Sequence, residues 1–262
     1  MPKPPGDASE TDRIAQRVLR EKHSSDEGDA YRRSTKLHQR FRHVFTCPNS
    51  RFCDHYMQDR IDEHVPNSVV LDYGCGTGWF SVPLLGLRPK RLVGIDISQK
   101  AIEQAIQSSG GRAEFRVMDA HKLDFPDNTF DLVLGRSILH HLEFPIAVHE
   151  VRRVLKKGGH AVFSEPLLDN PLRKVFQIWT RQGHTPDELP LSRRQIQWAD
   201  SLFEAHEHLY CGFFSTAVGL LTSLLPVSED NFFLVMADKL DRYAMGTPLR
   251  YWMRCVYLVW RK

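Results

Sequence analysis

The residues best suited to chemistry fall at regular places in the middle of the 262-residue chain. The segment VVLDYGCGTGWF, Val69 to Phe80, is an apolar run that ends in Asp72 and continues into Gly74, Cys75, Gly76 and Gly78. Glycines at alternate positions let the main chain turn tightly and approach a ligand with no Cβ in the way. The GxGxG spacing is not the GxGxxG of dinucleotide-binding turns, and no Lys-Ser/Thr pair follows it as a phosphate-binding loop requires. A second carboxylate, Asp96, ends RLVGID, where an acid at the tip of the next strand accepts both hydroxyls of a ribose. A third, Asp119, stands with Ala120 after AEFRVM and is placed to take an exocyclic amine. Two carboxylates and a donor-rich turn describe a site for a nucleoside whose charged end is not a phosphate.

Further on, FDLVLGRSILHHL offers Gly135, Arg136, His140 and His141, and HAVFSE ends in Glu165. Either histidine has the near-neutral basicity of a general base, although a Leu-His-His-Leu stretch is also ordinary packing. Glu165 falls at the carboxyl end of a strand, where open α/β sheets place ligand groups; it can bind a cation, accept a proton or cap a turn. Near the N-terminus, Arg32, Lys36 and Arg40 share one helical face, either a solvated stripe or part of a segment folded over a pocket with Tyr31 and Arg32 against the ligand. His43, Cys47, Cys53 and His55 match no tetrahedral zinc spacing, so no metal is expected.

These residues need a scaffold that brings several strand tips together. Ser68–Tyr73, Arg91–Asp96, Ala113–Met118, Phe130–Gly135 and His160–Glu165 each read as a buried strand. Helical patterns fill the gaps, over 98–108 with Ser98 as N-cap and over 145–156 ending at Gly158-Gly159. Such alternation predicts an α/β fold with a doubly wound, mostly parallel sheet. Residues 204–211 read as a further strand and Cys255–Trp260 as an antiparallel last one. The chain divides into a tail and helical cap over 1–65, with 1–29 frayed or partly helical, and a main domain over 66–262 carrying helical insertions around 168–203 and 212–247.

DYGCGTG, GIDIS, VMDA, FDLVLGRSILHHL and LKKGGHAVFSEP stand in the order and spacing of the class I S-adenosylmethionine (SAM)-dependent methyltransferases, which this chain resembles closely over residues 68–167. The resemblance implies a Rossmann-like fold and SAM as cofactor. It implies that Asp72, Gly74, Cys75, Gly76 and Gly78 surround the methionine part, that Asp96 with Ile97 holds the ribose, and that Asp119 and Ala120 face the adenine. Gly135 and Arg136 would line the methionine end or the reaction centre. The expected activity is methyl transfer to a small molecule by in-line displacement at the sulfonium, with His140, Glu165 and Arg136 as candidate catalytic groups. Two alternatives stand beside it: a non-methylating SAM enzyme, cyclising SAM to azetidine-2-carboxylate or transferring its aminocarboxypropyl chain, and a non-catalytic SAM-binding or membrane-associated protein.

Composition sets the surrounding limits. Lys+Arg 35 against Asp+Glu 32 is too balanced for a dedicated nucleic-acid binder. Five scattered cysteines and a polar start without a signal-peptide core suggest a reducing, cytoplasmic setting. Residues 209–228 carry no charge, but their hydroxyls, glycines and Pro226 argue against a membrane span and for a protein-covered pocket wall that gives the substrate site an apolar part.

Overall fold

The computed structural model of the chain describes residues 8–27, 29–171 and 189–262, with side chains over 12–26, 35–171 and 189–262. The strands are β1 Val69–Tyr73, β2 Arg91–Asp96, β3 Glu114–Val117, β4 Phe130–Arg136, β5 Leu155–Pro166, β6 Ala205–Cys211 and β7 Cys255–Arg261. They form one sheet in the order β3-β2-β1-β4-β5-β7-β6. The first five strands pair in parallel, and β7 enters antiparallel between β5 and β6. Strand order therefore reverses between β1 and β4, the crevice in which open α/β sheets bind ligands.

The central strands are apolar on both faces because both are covered. Leu71, Val133, Ala161 and Phe163 join one buried cluster, and Val70, Leu132, Leu134 and Val162 join the other. Each of these Val, Leu and Phe side chains contributes about 1.5–3 kcal/mol on full burial. Along the chain, the helices are α1 Ala8–Glu27, α2 Asp29–Arg40, α3 Arg42–Thr46, α4 Pro48–His64, α5 Ser81–Leu84, α6 Gln99–Ser109, α7 Phe144–Val154, α8 Arg193–Asp200, α9 Phe214–Thr222 and α10 Phe232–Met245. Helix α7 covers the first cluster with Ala147, Val148, Val151 and Val154, and α4 covers the second with Cys53, Met57 and Ile61. Ser98 caps α6 by accepting the Ala101 N–H at 3.1 Å.

The structure corrects two expectations and decides a third. Helix α7 stops at Val154, not near Gly158: Leu155 already pairs with Phe130, the chain bulges through Lys156–Gly159, and pairing resumes at His160 against Leu132. Lys156 anchors that bulge by donating to both oxygens of Asp131 at 2.8 Å. Of the two readings of the N-terminal stretch, frayed or partly helical, the second holds where it is described, since α1 is a 20-residue helix whose Arg17 is buried. The uncharged stretch over 209–228 is no protein-covered wall throughout. Helix α9 turns Ser215, Thr216, Gly219 and Thr222 inward and leaves Leu221 (65% exposed), Leu224 and Leu225 outside. The inward choice follows from close approach. A Cβ at Gly219 would stand 3.0 Å from the Val44 nitrogen, and the Thr222 hydroxyl lies 3.0 Å from His43 Nδ1. No helix among the described residues is long and apolar enough to cross a membrane. Residues 172–188 of the first insertion, and the side chains of Tyr31 and Arg32, lie outside the described residues.

Candidate active site

The carboxyl ends of β1, β2, β3 and β4 open onto one cavity. Its wall includes Gly74, Asp96, Ile97, Asp119 and Ala120, five of the residues singled out by the sequence. Ile95, Met118, Ile138 and Leu142 supply an apolar strip between the two carboxylates, and Val18 of α1 closes the top. Within the tail and cap expected over 1–65, sequence reasoning looked to Tyr31 and Arg32 for contact with the ligand and named no residue of α1. The signal was Ile14 and Val18 at helical spacing inside an otherwise polar stretch.

Gly74 has φ +79°, and a Cβ there would lie 2.6 Å from Ile138, so only glycine fits beneath the cavity floor. Asp96 is oriented by two backbone donors, with Gly76 N 2.9 Å from Oδ2 and Ser98 N 2.9 Å from Oδ1. Burial raises its pKa, opposed by the N–H groups of Ser98, Gly76 and Ile97. Asp119 is also partly buried, which raises its pKa, yet hydrogen bonds from His121 outweigh burial and hold it below the ordinary value. His121 Nε2 accepts the Glu143 N–H at 3.0 Å, which leaves Nδ1–H to donate to Asp119 at 2.7 Å.

Other sequence-selected residues stand behind this wall and not on it. Asp72 is 2% exposed and accepts the Ser81 hydroxyl. Burial, with a smaller contribution from the Asp96 charge, pushes its pKa up to about 7. Cys75 is buried beside Asp72 and Asp96, which pushes its thiol upward, out of the nucleophilic range. Gly135 is a packing glycine whose Cβ would meet Phe163 at 2.8 Å. Arg136 points toward α4: it donates to Asp54 at 2.8 Å and lies over the rings of Trp79 and Phe80 at 5.7 and 5.3 Å. His43, Cys47, Cys53 and His55 face separate partners, Thr222, Ser50, the Tyr210 carbonyl and the Arg51 carbonyl.

Glu165 lies behind the cavity wall and holds the turn after β4, one of the three roles its position left open. It is 1% exposed. Oε1 accepts the N–H groups of Ile138 and Leu139, both at 2.9 Å, and Oε2 accepts His140 N at 3.3 Å. These bonds hold the sharp turn after β4, where Ser137 has φ +56°. Oε2 also lies 2.7 Å from His140 Nδ1. A carboxylate so supplied with donors makes Nδ1 the protonated nitrogen and Nε2 the acceptor of a His140 ring that is itself buried, while the neighbouring His141 lines the cavity.

Helix α1 is fastened across the site by polar contacts. Arg17 donates to the His140 carbonyl and to Glu143, both at 3.2 Å; Glu21 pairs with His141 at 3.2 Å; and Ser98 donates to Asp26 at 2.5 Å. With α1 in place the free space beneath it is ≈ 60 Å³.

The strand order, the crevice and the arrangement of acids on successive strand tips give the chain the fold of the class I SAM-dependent methyltransferases. Residues 71–163 match the methyltransferase domain as a family. A malonyl-[acyl-carrier protein] O-methyltransferase from Erwinia pyrifoliae is 32% identical over 139 residues, 52% of this chain and 51% of the relative. A SAM-dependent methyltransferase structure from Mesorhizobium loti superposes with a TM-score of 0.55 at 19% identity, covering 79% of this chain and 96% of the other. An N-methyltransferase from Bradyrhizobium japonicum, solved with S-adenosylhomocysteine, gives a TM-score of 0.52 at 19% identity, covering 84% and 90%. The chain spans about half or less of the length of the first curated relatives it matches.

Proposed function

We propose that the chain transfers the methyl group of SAM to a small-molecule acceptor, with His140 as the base that takes the acceptor's proton. The observation that carries the reading is the convergence of Gly74, Asp96, Ile97, Asp119 and Ala120 from separate strand tips on one cavity. The donor set fits SAM: an apolar strip for the adenine lies between a carboxylate for vicinal hydroxyls and a carboxylate for an exocyclic amine. Gly74, whose left-handed turn lets Ile138 pack directly against its main chain, forms the floor on which the amino-acid end would rest. When bound, SAM supplies a methyl group activated by its sulfonium.

The remaining work belongs to the chain. Asp96, held by Gly76 and Ser98, fixes the ribose; His121 orients Asp119 toward the base; α1 excludes water from above. Glu165 is a positioning residue: it sets the turn after β4 and the tautomer of His140. Asp96→Ala should weaken SAM binding by about 1–3 kcal/mol, the scale of charge-assisted hydrogen bonds lost from a buried site. Unchanged calorimetric affinity in a folded variant removes Asp96 from the site. Product analysis tests the transfer itself. S-adenosylhomocysteine formed with an acceptor fraction supports methylation, and methylthioadenosine formed from SAM alone would show loss of the aminobutyryl chain instead.

A further inference from the structure

A second cleft, of ≈ 520 Å³, lies at the opposite edge of the sheet along β6 and shares no lining residue with the SAM cavity. Its walls carry Asp200, His206, His208, Tyr210, Arg250 and Tyr251. The acid in it is already satisfied. Asp200 Oδ1 accepts His208 Nε2 at 2.7 Å and Trp260 Nε1 at 2.8 Å, and Oδ2 lies 3.8 Å from His206 Nε2. Arg250, by contrast, has no carboxylate within 4.0 Å among the described residues. Its guanidinium reaches only the Tyr251 hydroxyl at 3.3 Å, and its Nε is buried without a partner. Arg250 sits 5.6 Å from the Tyr210 ring and 5.1 Å from the Tyr251 ring. Arg193 approaches Tyr251 as well, at 4.6 Å. It lines an adjoining cleft of ≈ 480 Å³ with Asp169, Leu249 and Trp252. Asp169 there accepts the Arg193 backbone N–H at 3.3 Å and makes no ion pair with its guanidinium.

We propose that this cleft is an oxyanion site, with Arg250 as its fork and Arg193 as a second cation, and that it takes a small phosphate or phosphate ester. A half-buried guanidinium whose Nε is unpartnered, and which meets no acid among the described residues, gains from an incoming dianion, and its planar fork matches two phosphoryl oxygens. The lining offers the ligand donors in the hydroxyls of Ser201, Tyr210 and Tyr251, the amide of Gln197 and the exposed ring of His206. The one acid among the described lining residues, Asp200, is engaged by His208 and Trp260. Aromatic and aliphatic walls at Tyr251, Trp252 and Leu249 in the adjoining cleft suit the organic stem of an ester.

The test is calorimetric titration at constant ionic strength with inorganic phosphate, pyrophosphate and phenyl phosphate. Saturable binding is expected, weakened at least about tenfold in Arg250→Met and less in Arg193→Met, with SAM affinity unchanged in both. Tighter binding of phenyl phosphate assigns the site to an ester, and equal or weaker binding assigns it to the free anion; both support an oxyanion site. No saturable binding up to about tenfold above typical millimolar weak-ligand levels overturns the proposal. So does equal binding by Arg250→Met, or a parallel loss of SAM affinity in that variant. Should Arg250→Met not fold, the wild-type protein still decides: added pyrophosphate must shift the His206 ring proton resonances, and unmoved resonances refute the site.

Discussion

Asp72 offers a quantitative check on the electrostatics beneath the Gly-rich turn. Its carboxyl is buried with a single side-chain donor, Ser81, and a pKa pushed from 3.8 up to about 7 by burial. The folded state therefore keeps a proton that the unfolded chain loses between pH 3.8 and 7, so stability falls as pH rises through that window. The full span of about three pKa units corresponds to about 4 kcal/mol, and the part lying between pH 5.5 and 8 to about 2 kcal/mol. Asp72→Asn replaces the protonated acid by a neutral amide that still accepts the Ser81 hydroxyl, and it removes the titration. Urea denaturation of both proteins at pH 5.5 and 8.0 isolates the effect, because every other titrating group is common to the two. The variant should gain about 2 kcal/mol relative to wild type on going from the lower to the higher pH. A stability difference between the two proteins that is the same at both pH values would refute a protonated Asp72 in the folded state.

Three further outcomes follow from the site. Glu165→Gln strands backbone donors of the turn after β4 and should lower stability by about 3 kcal/mol in thermal or urea unfolding, while an Asp at the same position fails to reach them. His140→Gln should leave SAM affinity within about twofold and reduce turnover by about 10²–10⁴, read from initial rates at saturating SAM; full activity would dismiss His140 as the base. Removing residues 1–27 should leave a folded sheet by circular dichroism but weaken SAM binding and abolish turnover, whereas a truncated protein with normal affinity would show that α1 contributes nothing to the site.

Periodicity and glycine placement made the sheet readable. Runs such as RLVGID and CVYLVW are apolar on both faces, and covered strands in a parallel sheet are written that way. Asp96 and Asp119 could be placed at the cavity for the same reason, since an acid that ends an apolar strand falls at the carboxyl edge of the sheet. Glu165 falls at that edge too, but as a turn cap, the least ligand-like of the roles its position left open. Nothing in its own neighbourhood says that the N–H groups of residues 138–140 fold back onto it, a consequence of the turn at Ser137. Helix α1 was hidden because its contacts are polar ones: Arg17, Glu21 and Asp26 reach across more than seventy residues of sequence. The inward face of α9 was misread since hydroxyls and a glycine, not leucines, permit its close approach to α3.

The placement of α1 has a kinetic corollary. Pockets for ligands of nucleoside size run to several hundred Å³, and ≈ 60 Å³ remains under this helix. Exchange of cosubstrate and coproduct must then await detachment of the helix, so association should saturate with concentration at a first-order opening rate. The latch consists of polar contacts at Arg17, Glu21 and Asp26, and the part-exposed pairs of Arg17 with Glu143 and Glu21 with His141 are the ones salt screens. Raising ionic strength should therefore speed both capture and release of the nucleoside, shortening its residence time while leaving the equilibrium affinity far less altered.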